Sequence, residues 1–290
     1  MRLRTLPLSL SGVILGAFLA SDRVQTPWPV ILFLLLTTVS LQILSNLCNE
    51  LGDTLHGTDT EAREGIRYSL QDGELSIPDM RKLIAGAVCA CCLSGVLLVG
   101  FSFRTLFALA PALMLLLGAA AIWAAMHYTL GERPYGYRGL GDLSVFLFFG
   151  LLSVCGGYFI CTHTWDGGYP LLPACAIGCF SVAVLNVNNI RDMKSDAATR
   201  VTVAIRLGLT RARLYQTLLI AAGWTAMCAH TVLHGTGWPC WIFLLTLPLY
   251  ALHLRGVWTR RDGALDPMLP LLVLGTFAFS LLAGLGRILA

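Results

Sequence analysis

Charged side chains are scarce in this chain, and hydrophobic ones are abundant. Only 12% of its 290 residues are charged, against roughly 25% in soluble domains, and 56% are hydrophobic. The mean hydropathy is +0.73. This composition excludes an ordinary soluble globular domain and predicts an all-α integral membrane protein. The formal net charge of +4 indicates no nucleic-acid partner, because the basic residues serve topology, as described below.

The cysteines lack the spacing of a zinc site. The densest group is Cys89-Ala90-Cys91-Cys92, and no second pair of ligands follows it at zinc-site spacing. Most of the other cysteines lie inside apolar segments, where cysteine behaves as a small packing residue. We therefore expect neither a structural metal nor a disulfide from them.

Nine apolar segments are long enough to cross a bilayer, which takes about 20 helical residues. Their limits are close to 5–21, 27–48, 80–101, 105–128, 141–163, 168–190, 211–233, 236–254 and 266–288. The first is short enough for a signal peptide, but it lacks a small-residue cleavage site, and Arg2 and Arg4 favour a retained span. The sequence predicts nine transmembrane helices around a central cavity, in one domain over residues 1–290.

Basic residues divide unevenly between the two predicted membrane faces. Only Arg23, Arg104 and Arg287 lie opposite the N-terminal face, and all the other basic residues lie on the N-terminal face. The positive-inside rule then places the N-terminus in the cytoplasm and the C-terminus outside. The longer loops, near 49–79, 129–140, 191–210 and 255–265, fall on the cytoplasmic face, where we expect them to cap the cavity.

Two clusters of asparagine and aspartate lie at the ends of apolar segments, and together they form an approximate repeat. Their members are Asn49, Asp53, Gly57 and Asp59 in the first, and Asn188, Asn189, Asp192 and Asp196 in the second. Aligning Asp53 on Asp192 places Asn49 on Asn188. The repeat predicts that helices 1–4 and 5–8 are parallel halves, with helix 9 appended, and that both clusters face the cytoplasm.

The spacing within the clusters suits a metal-bound diphosphate. Residues four apart share one helix face, so each cluster presents several oxygen ligands together, with Gly57 turning the chain to bring Asp59 back. Magnesium combines such ligands with water and phosphate oxygens. The predicted Mg²⁺ ligands are Asn49, Asp53, Asp59, Asn188, Asp192 and Asp196. The predicted diphosphate-binding residues are Asn49, Arg63, Arg67, Asn188, Asn189, Lys194 and Arg200. The alternative is that these residues cap helices or lie in solvated turns.

A third unusual stretch runs from His127 to Asp142 and is rich in glycine and tyrosine. Such a composition favours tight turns that expose aromatic rings and hydroxyls. The stretch is either a wall of the pocket for an aromatic acceptor or a cation, or a loop whose tyrosines lie at the membrane surface.

These motifs resemble those of the UbiA superfamily of intramembrane aromatic prenyltransferases. Asn49-xxx-Asp53-xxx-Gly57-x-Asp59 resembles its first aspartate motif. Asn188-Asn189-xx-Asp192-xxx-Asp196, followed by Arg206-Leu207-Gly208, resembles the second. Arg4-Thr5-Leu6-Pro7 and the run from Tyr128 to Asp142 resemble the branch that prenylates 1,4-dihydroxy-2-naphthoate in menaquinone biosynthesis. The chain departs from the pattern in Glu50, where Asp is frequent, in a one-residue shortening after Asp196, and in Arg200, where Lys is frequent.

The resemblance implies a bacterial, multi-pass enzyme of the cytoplasmic membrane with its active site facing the cytoplasm. It would use Mg²⁺ to transfer a polyprenyl group from polyprenyl diphosphate to dihydroxynaphthoate, with loss of diphosphate and CO₂, giving demethylmenaquinone. Asp53, Asp59, Asp192 and Asp196 would be catalytic. Tyr128 is the candidate for stabilising the allylic cation, and Arg4, Arg133 and Tyr135 are the candidates for binding the acceptor. No protein partner and no general base are evident.

Two alternatives remain at this point. One is a prenyltransferase of the same superfamily with another acceptor, such as 4-hydroxybenzoate, a haem or a chlorophyllide, against which only the run from residue 128 to 142 argues. The other is a membrane transporter, although a transporter would more naturally place its carboxylates near mid-span than at helix ends.

Overall fold

A computed structural model of the chain describes residues 3–21, 23–57, 69–70 and 72–290. Within these ranges the chain is helical, and the only extended pairing is an isolated bridge between Arg138 and Val201. Nine long apolar helices are labelled here in chain order. They are α1 Leu6–Ser21, α2 Trp28–Leu55, α3 Ile77–Phe103, α4 Leu109–His127, α5 Gly141–Thr162, α6 Leu171–Arg191, α7 Val203–His234, α8 Trp238–Thr259 and α9 Met268–Ile288.

The described helices are those of a multi-pass membrane protein. Eight of them are long and apolar enough to cross a bilayer, and the remaining one, α1, is equally apolar but has 16 residues. The predicted all-α membrane class is therefore confirmed. The count of nine crossings, the orientation and the central cavity stay predictions.

Helix α2 extends beyond the limit predicted from hydropathy, because it continues to Leu55 instead of ending near residue 48. Helical residues also precede the predicted start of α7 near residue 211, but Gly208 interrupts them with a φ of 72° and a ψ of 164°, so the uninterrupted part of α7 begins close to the predicted limit. Hydropathy marks where side chains stop being apolar, whereas the backbone hydrogen bonds of a helix continue through polar residues. Asn49 and Asp53 of the first aspartate cluster are consequently part of α2.

The described chain divides into two compact units. The first unit contains residues 27–141 and 194–202, and the second contains residues 4–26, 142–193 and 203–290. Helices α2, α3 and α4 thus belong to the first unit, and α1 and α5–α9 to the second. The prediction of one domain built from a repeat of helices 1–4 and 5–8 stays a prediction.

The core of the first unit supports the end of α2. Buried residues of α2 pack against buried residues of α3, and partly buried side chains of α4, among them Ile122 and Met126, complete the cluster. Its buried members are Leu44, Leu47, Cys48, Leu51, Met80, Ile84 and Cys91. Because this packing reaches Leu51, it fixes the rotation of α2 one turn away from Asp53.

In the second unit, close helix contacts and an aromatic cluster form the core. The backbone of α1 passes so close to α5 that a Cβ on Gly16 would lie 2.4 Å from the carbonyl oxygen of Val154. Small residues of this kind let membrane helices approach closely. Farther along the unit, five buried rings pack mostly edge to face, namely Phe180, Trp224, Phe243, Tyr250 and Phe279.

Several hydroxyls inside the helices bond to their own helix. The hydroxyl of Ser11 donates to the carbonyl oxygen of Pro7 at 2.8 Å, and that of Thr231 donates to the carbonyl oxygen of Met227 at 3.0 Å. Such bonds to the preceding turn satisfy these hydroxyls without water. All ten cysteines are free thiols.

Candidate active site

The end of α2 carries the first aspartate cluster, and it holds Asp53 in a buried position. The side chain of Asp53 is only 2% exposed, and its Oδ1 accepts a hydrogen bond of 2.7 Å from the hydroxyl of Tyr137. The helix ends two residues later, and Gly57 follows with a φ of 65°, a left-handed conformation that glycine adopts without strain. The predicted turn at Gly57 is therefore present. Asp59, Arg63 and Arg67 lie outside the described residues.

Arg200 brings the second cluster to the first within the first unit. One guanidinium nitrogen of Arg200 lies 2.9 Å from Asp196, and another lies 3.8 Å from Asp53. The guanidinium carbon lies 5.3 Å from the centre of the Tyr137 ring. Asp196 is 1% exposed. Two buried carboxylates, one from each cluster, therefore share the guanidinium of Arg200.

A backbone contact fixes this arrangement. The amide of Val201 donates to the carbonyl oxygen of Tyr137 at 2.9 Å, and Arg138 pairs with Val201 as a parallel bridge. The segment that carries Arg200 is thereby tied to the segment that carries Tyr137. Both side chains then reach Asp53 from fixed backbone positions.

The stretch rich in glycine and tyrosine packs against the end of α2. The hydroxyl of Thr129 donates to the carbonyl oxygen of Cys48 at 2.8 Å and lies 3.2 Å from Oδ1 of Asn49. This close packing requires Gly52, because a Cβ there would lie 2.6 Å from the carbonyl oxygen of Thr129. Asn49 and Asp53 therefore share the face of α2 that this stretch covers, as their spacing predicted.

The candidate acceptor-binding residues are partly engaged by the stretch itself. The rings of Tyr128 and Tyr135 meet edge to face at 5.4 Å, and the hydroxyl of Tyr135 donates to the carbonyl oxygen of Ala124 at 2.8 Å. Arg133 is exposed in the first unit, and Arg4 is exposed in the second. Their predicted contact with an acceptor stays a prediction.

In the second unit, Arg191 organises the other part of the second cluster. Its guanidinium forms two hydrogen bonds to Asp192, of 2.7 and 2.6 Å, and an ion pair of 2.6 Å with Asp266. The same side chain donates to Oδ1 of Asn188 at 3.0 Å. Asp192 is 4% exposed and Asn189 is 6% exposed, whereas Lys194 is exposed. A single arginine therefore holds both Asn188 and Asp192.

Three residues of these networks were not among the predicted site residues. Tyr137 lies in the stretch that the sequence analysis singled out, but no spacing indicates that its hydroxyl reaches Asp53. Arg191 flanks the second cluster in sequence, and its double contact to Asp192 requires the fold. Asp266 has no sequence signal, because it precedes α9 in a different loop. Glu50, a neighbour of the cluster, is 2% exposed and accepts a hydrogen bond from the amide of Leu70 at 3.2 Å.

The donor atoms of both networks suit a hard divalent cation. Asp53, Asp192 and Asp196 offer carboxylate oxygens, the ligands that Mg²⁺ takes together with water and phosphate oxygens. Each carboxylate lies within 4 Å of a guanidinium nitrogen. Among the described residues no group of three or more His, Cys, Asp or Glu side chains converges as a complete cage. Phosphate oxygens and water would have to complete the shell of any ion bound here.

Comparisons with known proteins identify the family. Residues 9–285 match the UbiA prenyltransferase family. The chain is 37% identical to 1,4-dihydroxy-2-naphthoate octaprenyltransferase of Haemophilus influenzae, over 99% of this chain and 94% of the relative. It is 38% identical to the protein of the same name from Escherichia coli, over 100% and 94% of the two chains.

The fold also has a known counterpart. The apo structure of a UbiA homologue from Aeropyrum pernix superposes with a TM-score of 0.76 at 18% identity, covering 100% of this chain and 98% of that one. At this identity the likeness concerns the fold alone. Together with the matched family and the full-length relatives, it confirms the resemblance seen in the aspartate motifs: the chain belongs to the UbiA prenyltransferase family and is a membrane-embedded prenyltransferase.

Proposed function

We propose that this protein transfers a polyprenyl group from polyprenyl diphosphate to 1,4-dihydroxy-2-naphthoate, with release of diphosphate and CO₂. The observation that carries the donor half is the shared position of Asp53, Asp196 and Arg200, which suits a metal-bound diphosphate. The acceptor half rests on relatives that carry this activity in their names at 34–38% identity.

The diphosphate would be bound by both clusters. Asp53, Asp59, Asp192 and Asp196, assisted by Asn49 and Asn188, would hold Mg²⁺, which would supply positive charge to stabilise the departing diphosphate. Arg63, Arg67, Lys194 and Arg200 bind its oxygens, with Asn189 alongside. Arg200 is suited to this part because its planar fork, which lies against two carboxylates here, can equally bind phosphate oxygens.

Arg191 has a separate part, which is to position Asp192. Its hydrogen bonds hold the carboxylate of Asp192 in one orientation. Asp266 binds the same guanidinium. Arg191 would therefore keep a carboxylate partner if Asp192 bound Mg²⁺ instead. The buried charge of Arg191 is then never left uncompensated.

Bond changes on the acceptor balance without a general base. The carbon–oxygen bond of the donor breaks and its electron pair leaves with diphosphate, which produces an allylic cation. The ring carbon that carries the carboxylate forms the new carbon–carbon bond. CO₂ then departs, and the electron pair of its bond restores the aromatic ring. CO₂ leaves in place of a proton, so the immediate product is the hydroquinone form of demethylmenaquinone.

The hydrogen bonds of His56 and His127 are consistent with a reaction that needs no general base. The Nδ1 of His56 lies 2.9 Å from the carbonyl oxygen of Gly52, and that of His127 lies 2.9 Å from the carbonyl oxygen of Trp123. A ring nitrogen facing a carbonyl oxygen carries a proton. Both rings therefore bind their own helix ends, and neither is required as a base.

The remaining assignments follow the sequence motifs. Arg4 or Arg133 would bind the acceptor carboxylate, Tyr135 would contact its ring, and the face of Tyr128 would stabilise the allylic cation. The cation must be shielded from water, which a site within the membrane helices provides. In the proposed topology the site opens to the cytoplasm, on the inner face of a bacterial cytoplasmic membrane.

Purified protein with labelled polyprenyl diphosphate and a panel of acceptors tests the proposal. Dihydroxynaphthoate labelled at its carboxyl carbon should release one labelled CO₂ per prenylated product, only with Mg²⁺ present. Preferential prenylation of 4-hydroxybenzoate would overturn the proposed acceptor. Transport of a solute without release of diphosphate would overturn the enzyme activity itself.

Two variants test the diphosphate site. Asp53→Asn and Asp192→Asn should each lower kcat by about a hundredfold or more, because each removes a charge that is needed as the diphosphate leaves. Glu74→Gln is the control, since Glu74 is an exposed carboxylate of the first unit. Unchanged activity in either aspartate variant would contradict the shared site.

A further inference from the structure

The guanidinium of Arg200 lies between two of the aspartates that are predicted to bind Mg²⁺. One of its nitrogens, Nη2, lies 2.9 Å from Oδ1 of Asp196, and the other, Nη1, lies 3.8 Å from Oδ1 of Asp53. Both carboxylates are buried, and they belong to different aspartate clusters. Two separate nitrogens of one side chain therefore bridge the two clusters within the first unit.

Arg200 is held less firmly than Arg191. The guanidinium of Arg191 makes two hydrogen bonds to Asp192, of 2.7 and 2.6 Å. The contacts of Arg200 with Asp53 and Asp196 are ion pairs that lack hydrogen-bond geometry. Charge-assisted hydrogen bonds are the stronger and more directional contacts. The contacts of Arg200 with its two aspartates are consequently easier to exchange for others.

The surroundings of Arg200 are fixed, whereas its own side chain can turn. The hydroxyl of Tyr137 donates to Oδ1 of Asp53 at 2.7 Å, and the Tyr137 ring lies 5.3 Å from the guanidinium carbon. The backbone hydrogen bond from Val201 to Tyr137 holds this ring beside the segment that carries Arg200. Asp53 thus keeps a hydrogen-bond donor if the guanidinium, which ends a long side chain with several rotatable bonds, changes its partners.

A magnesium ion would draw on the same oxygen atoms. Mg²⁺ takes carboxylate oxygens as ligands, and Oδ1 of Asp53 and Oδ1 of Asp196 both face Arg200. Like charges a few ångströms apart repel, and the repulsion is stronger in a buried site than in water. The ion and the guanidinium therefore weaken each other's binding to these two aspartates.

A diphosphate would change this balance. Its oxygens form charge-assisted and often bidentate bonds with a guanidinium, and they also complete the coordination of Mg²⁺. Arg200 would then exchange its two carboxylate contacts for phosphate contacts, and the two aspartates would become available to the metal. The buried guanidinium would be compensated in both arrangements.

We propose that Arg200 and Mg²⁺ compete for Asp53 and Asp196, and that diphosphate relieves the competition by binding Arg200. The competition rests on the proposed function, which supplies the metal and the diphosphate. It adds that Mg²⁺ alone binds weakly, and that Arg200 makes Mg²⁺ and diphosphate bind cooperatively. Such coupling is reciprocal, so each ligand raises the affinity for the other by the same factor.

Thermal unfolding of the purified full-length protein in detergent measures the competition without turnover. Free Mg²⁺ is titrated with and without a fixed concentration of inorganic pyrophosphate, and no acceptor is added. Without pyrophosphate, Arg200→Gln should lower the Mg²⁺ concentration for half-maximal stabilisation by about tenfold, within the usual range of coupling between two ligands. Pyrophosphate should lower this concentration strongly in the unmodified protein and much less in Arg200→Gln.

Two further variants separate the contact from a general effect of charge. Arg200→Lys keeps the charge, but its single nitrogen cannot face both aspartates separately, so its Mg²⁺ requirement should shift in the same direction and less far. Arg138→Gln is the matched control, because Arg138 is an exposed arginine of the first unit, next to Tyr137 in sequence. Its Mg²⁺ titration should match that of the unmodified protein. Equal shifts in Arg138→Gln and Arg200→Gln would overturn the competition.

Failure of the competition differs from failure of the proposed function. An unchanged Mg²⁺ requirement in both Arg200 variants would overturn the competition alone, since prenyl transfer and the loss of activity in Asp53→Asn are measured separately. If Mg²⁺ stabilises none of these proteins, with or without pyrophosphate, the competition and the proposed metal-bound diphosphate are both wrong.

Discussion

Asp53 depends on two side chains that are distant in sequence. Tyr137 donates a hydrogen bond to it, and Arg200 provides a nearby positive charge. A carboxylate that is 2% exposed is destabilised unless such partners compensate for lost water. The same partners hold the carboxylate in one orientation.

Removing the hydroxyl of Tyr137 tests this orientation. Tyr137→Phe should raise the Mg²⁺ concentration needed for half-maximal activity by about tenfold, as is usual when a residue that orients a metal ligand is lost. The ring stays in place against Arg200, so thermal stability should change little. Tyr158→Phe is the control, because that hydroxyl also binds an aspartate, Asp166, which is not one of the predicted site residues. Identical Mg²⁺ dependence in both variants would contradict the role of Tyr137.

Asp266 offers a test of the corresponding network around Asp192. In Asp266→Asn, Arg191 keeps Asp192 as its only full charge partner within this network, so a cation must compete with a stronger ion pair. We expect a several-fold rise in the Mg²⁺ requirement with a smaller change in kcat, measured by titrating activity and by Mg²⁺-dependent thermal stabilisation. Asp262→Asn is the control in the same loop; its positive φ of 49° suits asparagine equally. A fall in kcat alone would contradict this reading of Arg191.

At the scale of helices, a chain of hydrogen bonds joins α6, α7 and α8 behind the second cluster. The amide nitrogen of Asn186 donates to Gln216 at 2.7 Å, and that of Gln216 donates to Nε2 of His253 at 2.9 Å. The other ring nitrogen of His253 faces the carbonyl oxygen of Met268 at 2.9 Å, so Nδ1 carries the proton. These three side chains are fully buried. The chain of bonds sets the register of three helices one to two turns from Asp192.

Breaking this chain at its middle should destabilise the second unit. Gln216→Leu leaves a donor on Asn186 and an acceptor on His253 without partners, which costs about 1–3 kcal/mol for each buried group. The expected result is a lower midpoint of thermal unfolding in detergent. Gln25→Leu, at an exposed glutamine of the same unit, is the control and should leave the midpoint unchanged. Equal midpoints for the two variants would show that the chain of bonds contributes nothing to stability.

At the scale of the whole molecule, topology decides which solution each site faces. An odd number of crossings places the two chain ends on opposite sides of the membrane. Helix α1 is the critical element, because its 16 residues are fewer than the roughly 20 that a perpendicular span requires. Its close packing against α5 at Gly16 supports a spanning position, since a short helix is tolerated where a neighbouring helix covers it.

Reporter fusions at the two ends test this count. A C-terminal alkaline phosphatase should be active and a C-terminal green fluorescent protein dark, because the first requires the periplasm and the second the cytoplasm. An N-terminal fluorescent fusion should be bright. If both ends report the same side, the number of crossings is even and α1 does not span the membrane.

The sequence by itself determined the class of fold, the helix order and the two aspartate motifs. Hydropathy, charge asymmetry and the spacing of polar residues are properties of neighbours along the chain, so they need no tertiary contact. The same information predicted that Asn49 and Asp53 share a helix face, and it located the stretch that packs against them. It placed the end of α2 wrongly, because helical hydrogen bonding continues through polar residues beyond the apolar run.

Only the tertiary structure decided which charged and polar side chains contact one another. Tyr137 and Arg200 meet Asp53, and Asp266 meets Arg191, because the fold brings segments between separate helices within 4 Å of these residues. Such contacts join residues of large sequence separation. No local pattern encodes them, so the pairing of buried charges is decided by packing.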